Sequence, residues 1–246
     1  MKNLIVANWK CNPISQEEAK NIFEGIKTGI EDTNAEVVIC PPFVHSAGLK
    51  GLTIGAQNCF WEDRGAFTGE ISAAMLKDLG VEYVLIGHSE RRKYFGETDE
   101  IVNKKIKKAI EAGLKVIFCI GETAEERDAD RKNEVLERQI KQGLDGISNF
   151  QFPISNLVVA YEPVWAIGTG NNCSVQETKE SVDYIRKFVK ELALSGVEGD
   201  TRILYGGSVK SENSGAYIKD AGTNGLLVGG ASLSAEEFVK IVKSAE

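Results

Sequence analysis

Leu157-Val158-Val159-Ala160-Tyr161-Glu162-Pro163-Val164-Trp165-Ala166-Ile167-Gly168-Thr169-Gly170 passes from a short apolar run straight into a carboxylate and a loop bounded by glycines. Downstream, Val182, Ile185, Val189 and Leu192 recur at the spacing of one helical face, so the unit reads strand, loop, helix. At the strand's end Glu162 is held in place, Pro163 stiffens the exit, Trp165 and Ile167 supply apolar cover, and Gly168 and Gly170 let backbone close over a ligand. A guarded proton-transfer site needs that arrangement. Taken alone, the segment also reads as a surface loop with a stray acid.

The same unit recurs along the chain. Apolar runs rich in β-branched residues stand at Leu4–Ala7, Glu36–Cys40, Thr53–Gln57, Tyr83–Ile86, Lys115–Ile120, Leu157–Tyr161, Arg202–Tyr205 and Gly225–Val228, eight in all. Amphipathic segments follow most of them; Ala19, Ile22, Phe23, Ile26 and Ile30 make one such face. Four hydroxyls stand three residues before a glutamate, the capping-box spacing: Ser15 and Glu18, Thr123 and Glu126, Ser174 and Glu177, Ser234 and Glu237. The charged run from Glu122 to Arg138, with apolar Ala124, Val135 and Leu136, reads as a solvated helix. Alternating strands and helices imply parallel strands joined by right-handed crossovers. Eight units without a linker favour an α/β fold of one domain over residues 1–246, a closed eight-stranded parallel (β/α)8 barrel. An open doubly wound sheet is the alternative, but no G-x-G-x-x-G follows the first strand.

Composition narrows the function classes. The 246 residues are 42% hydrophobic and 26% charged, enough to bury a large core. A net charge of −7 argues against a nucleic-acid or acidic-membrane surface, so any anionic ligand must be held locally. Cys11, Cys40, Cys59, Cys119 and Cys173 are odd in number and contain no C-x-x-C pair, which suggests neither a disulfide framework nor a zinc site. A reducing cytosol fits, and no signal-peptide core or membrane-length apolar run is visible, so a cytoplasmic location is expected.

In a barrel of parallel strands the active site gathers at the strands' C-terminal ends. Asn8 and Lys10 follow the first strand, His88 the fourth, Glu162 the sixth, Gly206-Gly207-Ser208 the seventh and Gly229-Gly230 the eighth. An amide, an ammonium, an imidazole, a carboxylate and two glycine turns thus converge on one face. Each has a plainer reading singly: a turn asparagine, a surface lysine, a rim histidine, glycines that merely turn the chain. The glycine turns gain weight from their place after strands seven and eight, where barrels build phosphate sites from backbone N–H groups. His45 reads as a loop residue, Cys119 as a small core residue, Glu97 as an acid opening the next helix, and Glu90 as structural or supporting.

Asn8-Trp9-Lys10, Gly87-His88-Ser89-Glu90-Arg91-Arg92, Ala160 to Gly170, Tyr205-Gly206-Gly207-Ser208-Val209 and Leu227-Val228-Gly229-Gly230-Ala231-Ser232-Leu233 stand in register with the signatures of one family. Over its full length the chain resembles the triosephosphate isomerase family. The resemblance implies the TIM barrel and the interconversion of dihydroxyacetone phosphate and D-glyceraldehyde 3-phosphate, with no cofactor and no metal. The residues suit that chemistry. Glu162 would be the base, gaining basicity as water leaves; His88, kept neutral by the N-terminus of Ser89 to Phe95, would donate to the enediolate; Lys10 would add fixed charge, with Asn8 holding it or meeting the ligand. Gly168, Ser208, Gly229 and Gly230 would bind phosphate through N–H groups, with Ser89 and Glu90 supporting.

The lid implied runs through Pro163, Val164, Trp165, Ala166, Ile167, Gly168, Thr169, Gly170, Asn171, Asn172 and Cys173. The resemblance also implies a homodimer, in which Thr68, on the loop Phe67 to Ser72, buttresses the partner's Asn8 and Lys10 and Cys11 lies at the docking point. The chain departs from the family at Asn171-Asn172-Cys173, where Lys-Thr-Ala is usual, and at Asn224, where Asp is usual. Two other readings stand beside the isomerase. A different phosphosugar barrel enzyme would need other acids, and a metal-dependent epimerase more than two histidines; an inactive scaffold would show damage at Lys10, His88 or Glu162.

Overall fold

The computed structural model describes residues 1–147, 156–168, 172–192 and 201–246. Its eight strands are β1 (Leu4–Asn8), β2 (Glu36–Cys40), β3 (Thr53–Ala56), β4 (Tyr83–Ile86), β5 (Lys115–Ile120), β6 (Leu157–Tyr161), β7 (Arg202–Tyr205) and β8 (Gly225–Val228). Each pairs in parallel with the next, and β8 returns to β1 with Val6 opposite Leu227, which closes the barrel. The strand bounds match the sequence pattern except that β1 takes in Asn8 and β3 stops short of Gln57.

Two layers of apolar side chains hold the strands, and the two-residue period of a strand assigns each residue to one of them. Leu4, Val6, Val38, Cys40, Tyr83, Leu85, Ile117, Cys119, Val158, Ala160, Leu204 and Leu227 pack inside the barrel. Their neighbours Ile5, Ala7, Val37, Ile39, Val84, Ile86, Val116, Val159 and Ile203 face outward against the helices. Burial on both faces is why these strands read as unbroken apolar runs. Cys119 is therefore a core residue, as expected. At the N-terminal end, Arg202 reaches Glu36 at 2.6 Å, Tyr83 donates to the same carboxylate, and Lys115 lies over the Tyr83 ring.

The outer layer comprises α1 (Gln16–Gly29), α2 (Phe43–Ser46), α3 (Ala73–Asp78), α4 (Ser89–Phe95), α5 (Asp99–Glu111), α6 (Ala124–Asp128), α7 (Lys132–Gly143), α8 (Val175–Leu192), α9 (Ser211–Lys219) and α10 (Ala235–Ser244). Val182, Ile185 and Val189 form the buried face of α8, while the Leu192 side chain lies outside the described residues. The charged run is two helices, not one, because Asp130 enters the left-handed region at φ 55° and breaks the chain between α6 and α7. Ala124 is exposed, and Glu122 is fully buried rather than solvated.

Of the four hydroxyl–glutamate pairs, Thr123 and Glu126 alone form the reciprocal box. Ser15, Ser174 and Ser234 accept the expected backbone N–H. The Glu237 carboxylate turns instead to the first residue of α9, accepting Ser211 N–H at 2.8 Å. Asn224 takes the place of the family's usual acid by hydrogen bonding alone: its side-chain oxygen accepts Ile203 N–H at 3.0 Å, and Arg186 donates to the Gly222 carbonyl.

Candidate active site

Barrel geometry decides which side chains meet at the mouth. Asn8 continues the inward phase of Leu4 and Val6, and Glu162 continues that of Val158 and Ala160. His88 would follow Val84 and Ile86 outward, but Gly87 at φ 78° breaks the alternation, a conformation open to glycine, and His88 becomes the N-cap of α4. These three polar side chains are nearly fully buried. Together with Lys10, Ile167, Gly168, Asn172, Ser208, Gly229 and Gly230 they line a cavity of about 600 Å³.

At the cavity's closed end, His88 Nε2 lies 3.0 Å from Glu162 Oε1 and 3.2 Å from the Asn8 amide nitrogen. Glu162 Oε2 accepts the Ser89 N–H at 3.0 Å. In the neutral ring, His88 Nδ1 accepts the Glu90 N–H at 3.3 Å and the ring proton sits on Nε2, facing Glu162. Asn8 Oδ1 accepts the Lys10 N–H at 3.0 Å, which fixes its amide orientation. Lys10 has φ 54°, and its ammonium meets Glu90 Oε1 at 2.5 Å.

Burial and contact act in opposite directions on each member of this pair. Burial pushes Glu162 up, but the facing His88, the Ser89 N–H and the Lys10 charge outweigh it, so the carboxyl is held below its ordinary range rather than raised. His88 is pulled down by burial, yet the Glu162 charge and hydrogen bond turn the net shift upward, opposite to the expected effect of the α4 N-terminus. Both shifts belong to this arrangement, in which acid and imidazole are in contact.

The segment after Glu162 forms a single 3₁₀ turn, Val164–Ala166. Ile167 and Gly168, with φ 70° at the glycine, line the cavity. Trp165 donates to Glu122 Oε1 at 2.8 Å, and its ring stacks on the Arg127 guanidinium. Cys173 is buried, and its carbonyl accepts the Tyr217 hydroxyl at 2.7 Å. Thr169, Gly170 and Asn171 lie outside the described residues. Cys11 and Thr68 are exposed and stand apart from the cavity lining.

Sequence reasoning missed the supports. Gln57 donates to the carbonyls of Lys10 and Cys40 at 2.8 and 2.9 Å, steadying the left-handed Lys10. Gly121 is hydrogen bonded to Gln139 and leaves room for the Glu162 backbone. Glu97 is buried before α5, not an acid opening that helix: Thr98 is the cap, and Glu97 pairs with Arg91 and Lys105. Lys210, Asn213 and Glu237 also reach the cavity wall. The capping-box spacing pointed at Glu237; nothing local marked the others. His45 is buried against the Pro13 carbonyl, away from the site.

The model of the family described as triosephosphate isomerase matches residues 3–245. A triosephosphate isomerase of Alkaliphilus metalliredigens is 49% identical over 247 residues, 98% of each chain. One of Alkaliphilus oremlandii is 47% identical over 98% of each chain, and one of Aquifex aeolicus 46% identical over 99% of this chain and all of that one.

Proposed function

The chain belongs to the triosephosphate isomerase family, and from that premise we propose that it interconverts dihydroxyacetone phosphate and D-glyceraldehyde 3-phosphate through an enediolate, as a step of glycolysis and gluconeogenesis. The observation that carries this reading is the contact of one buried carboxylate with one imidazole nitrogen in a cavity whose lining also includes Lys10 and the glycine turns at Gly206-Gly207 and Gly229-Gly230.

Glu162 acts as the base. It leaves His88 and Ser89, removes the proton from the carbon next to the carbonyl, and the C–H electrons form the new C=C bond as the carbonyl electrons move to oxygen. His88 Nε2–H gives its proton to the oxyanion and takes the proton of the adjacent hydroxyl, and the same carboxylic acid returns the carbon-bound proton to the neighbouring carbon as the new carbonyl forms. His88 donates Nε2–H to the developing oxyanion as a neutral imidazole. Once Glu162 turns to substrate, the two largest contributions that raised His88 are gone; burial and the Lys10 charge, which lower it, then stand against the Glu90 charge alone. Lys10 supplies fixed positive charge beside the oxyanion, and Asn8 keeps it in place. The phosphate sits on the N–H groups of Gly168, Ser208, Gly229 and Gly230, which need no basic patch. Closure of the lid, Pro163 to Cys173, excludes water during the transfer.

Two copies of the chain pair, each completing the other's site. Ile14, Val44, Phe67, Tyr94 and Phe95 are large apolar side chains left exposed, on α2, α4 and the segments that follow β1 and β3, apolar surface that a second copy would cover. Thr68, exposed beside Phe67, buttresses the partner's Asn8 and Lys10, with Cys11 at the junction. The protein acts in the cytoplasm; among the described residues no helix is long and apolar enough to cross a membrane.

Glu162→Gln, assayed with glyceraldehyde 3-phosphate in the presence of a chelator, should lose turnover by on the order of a thousandfold or more, about 4 kcal/mol of barrier, and still bind inorganic phosphate. Turnover near that of the parent would remove Glu162 from the base role.

A further inference from the structure

We propose that Asn213 and Glu237 are positioning residues that hold the Ser208 turn in its phosphate-accepting shape, an inference that rests on the phosphate reading of that turn given above. The turn joins β7 to α9, and the first N–H groups of a helix have no acceptor within it. Left alone, the peptides between Ser208 and Ser211 would be free to rotate. Two side chains from outside the turn prevent this.

The Asn213 amide spans three residues of it. Its Nδ2 donates to the Ser208 carbonyl at 3.3 Å, and its Oδ1 accepts the Lys210 N–H at 2.8 Å. The two partners fix the amide's orientation, since only the oxygen can accept and only the nitrogen can donate. A single planar group therefore sets the direction of the peptides on either side of Val209.

Glu237 approaches from α10. Its Oε1 accepts the Ser211 N–H at 2.8 Å and its Oε2 the Ser211 hydroxyl at 3.1 Å. By charge alone a carboxylate is misplaced in the wall of a cavity that takes a dianion. Its hydrogen bonds supply the reason: the carboxylate occupies the N-terminus of α9, where an anion would otherwise be drawn by the helix dipole. The Ser211 N–H holds this carboxyl below its usual range, so it remains an acceptor at neutral pH. The α9 terminus is thereby closed to ligand.

Ser208 is tied at its other side as well, its hydroxyl donating to the Ala166 carbonyl at 2.6 Å. The Ser208 carbonyl and hydroxyl and the N–H groups of Lys210 and Ser211 are all engaged. Among the described residues nothing accepts the Ser208 N–H. The clamp thus leaves the N–H groups of Ser208 and Val209, neither of which has an acceptor among the described residues, for phosphate and removes the freedom of the peptides beside them, so less order must be imposed on binding.

Calorimetric titration with inorganic phosphate tests the clamp, using the full chain and its Asn213→Ala, Glu237→Ala and Glu237→Gln variants, each first shown to be folded by circular dichroism. Asn213→Ala and Glu237→Ala should weaken phosphate by about tenfold, about 1.4 kcal/mol, and raise KM for glyceraldehyde 3-phosphate by a similar factor with kcat moving less than twofold. Glu237→Gln keeps an oxygen for Ser211 and should bind phosphate no more weakly than the parent. A lowered thermal midpoint with unchanged phosphate affinity in both alanine variants would mean ordinary structural support and overturn the proposal; should Asn213→Ala fail to fold, the two Glu237 variants decide. A parent that isomerises but binds no phosphate would instead sink the phosphate reading of the turn, and the clamp with it.

Discussion

His88 and Glu162 meet in a contact whose two sides respond to pH in opposite directions. Glu162 is held below its ordinary 4.5, so its contribution to stability is present above that value and is lost as pH falls through the lowered pKa. His88 is raised above 6.5, so its contribution is complete below that value and is lost as pH climbs through the raised pKa. From 6.5 up to the raised His88 pKa the folded chain holds a proton that the unfolded chain releases, so stability should fall as pH rises from about 6.5. In Glu162→Gln the largest remaining influence on His88 is burial, which lowers it, so that fall should vanish or reverse. Urea midpoints of parent and variant from pH 6 to 8 check this; parallel curves would show that the contact is not coupled to protonation. Sequence reasoning placed both residues at strand ends, and the structure brings them to one cavity. Their contact was not legible, because it depends on the turn at Gly87 and on the depth to which the strand carries Glu162.

At the scale of elements, the ends of β5 and β6 approach so closely that a Cβ on Gly121 would lie 1.7 Å from the Glu162 carbonyl oxygen. That neighbour is backbone and has no rotamer to yield. Gly121→Ala must therefore push the strand ends apart, at a cost of about 1–3 kcal/mol typical of overpacking. The urea midpoint should fall, and turnover should fall in the folded fraction because the displaced segment carries Glu162. An alanine variant with parental midpoint and turnover would show that the two segments separate freely. Strand existence and bounds were legible to within a residue because burial on both faces leaves a continuous apolar signature. Helix caps were less so. The spacing of Ser234 and Glu237 is the same as that of Thr123 and Glu126, but Glu237 found a neighbouring helix to cap, and sequence distance carries no information about that neighbour.

At the scale of the whole molecule, the exposed apolar side chains Ile14, Val44, Phe67, Tyr94 and Phe95 predict association. The chain should sediment at twice its 26.8 kDa. Thr68 is exposed in a single copy and outside its own cavity, so Thr68→Arg should give single chains with little turnover, by crowding a junction it does not share with its own site. A fully active single chain from that variant would remove the second copy from the site. Sequence by itself determined the alternation of strands and helices, the closed eight-stranded barrel and the set of reactive residues at strand ends, because period and burial are local properties written into successive side chains. Only the tertiary structure decided that Glu162 rests low in its pKa range against His88, that Trp165 turns to Glu122, that Glu97 is buried between Arg91 and Lys105, and that Asn213 and Glu237 brace the Ser208 turn. Each of those depends on which polar group lies across a gap from which other. Barrel closure sets such distances between segments far apart in the chain.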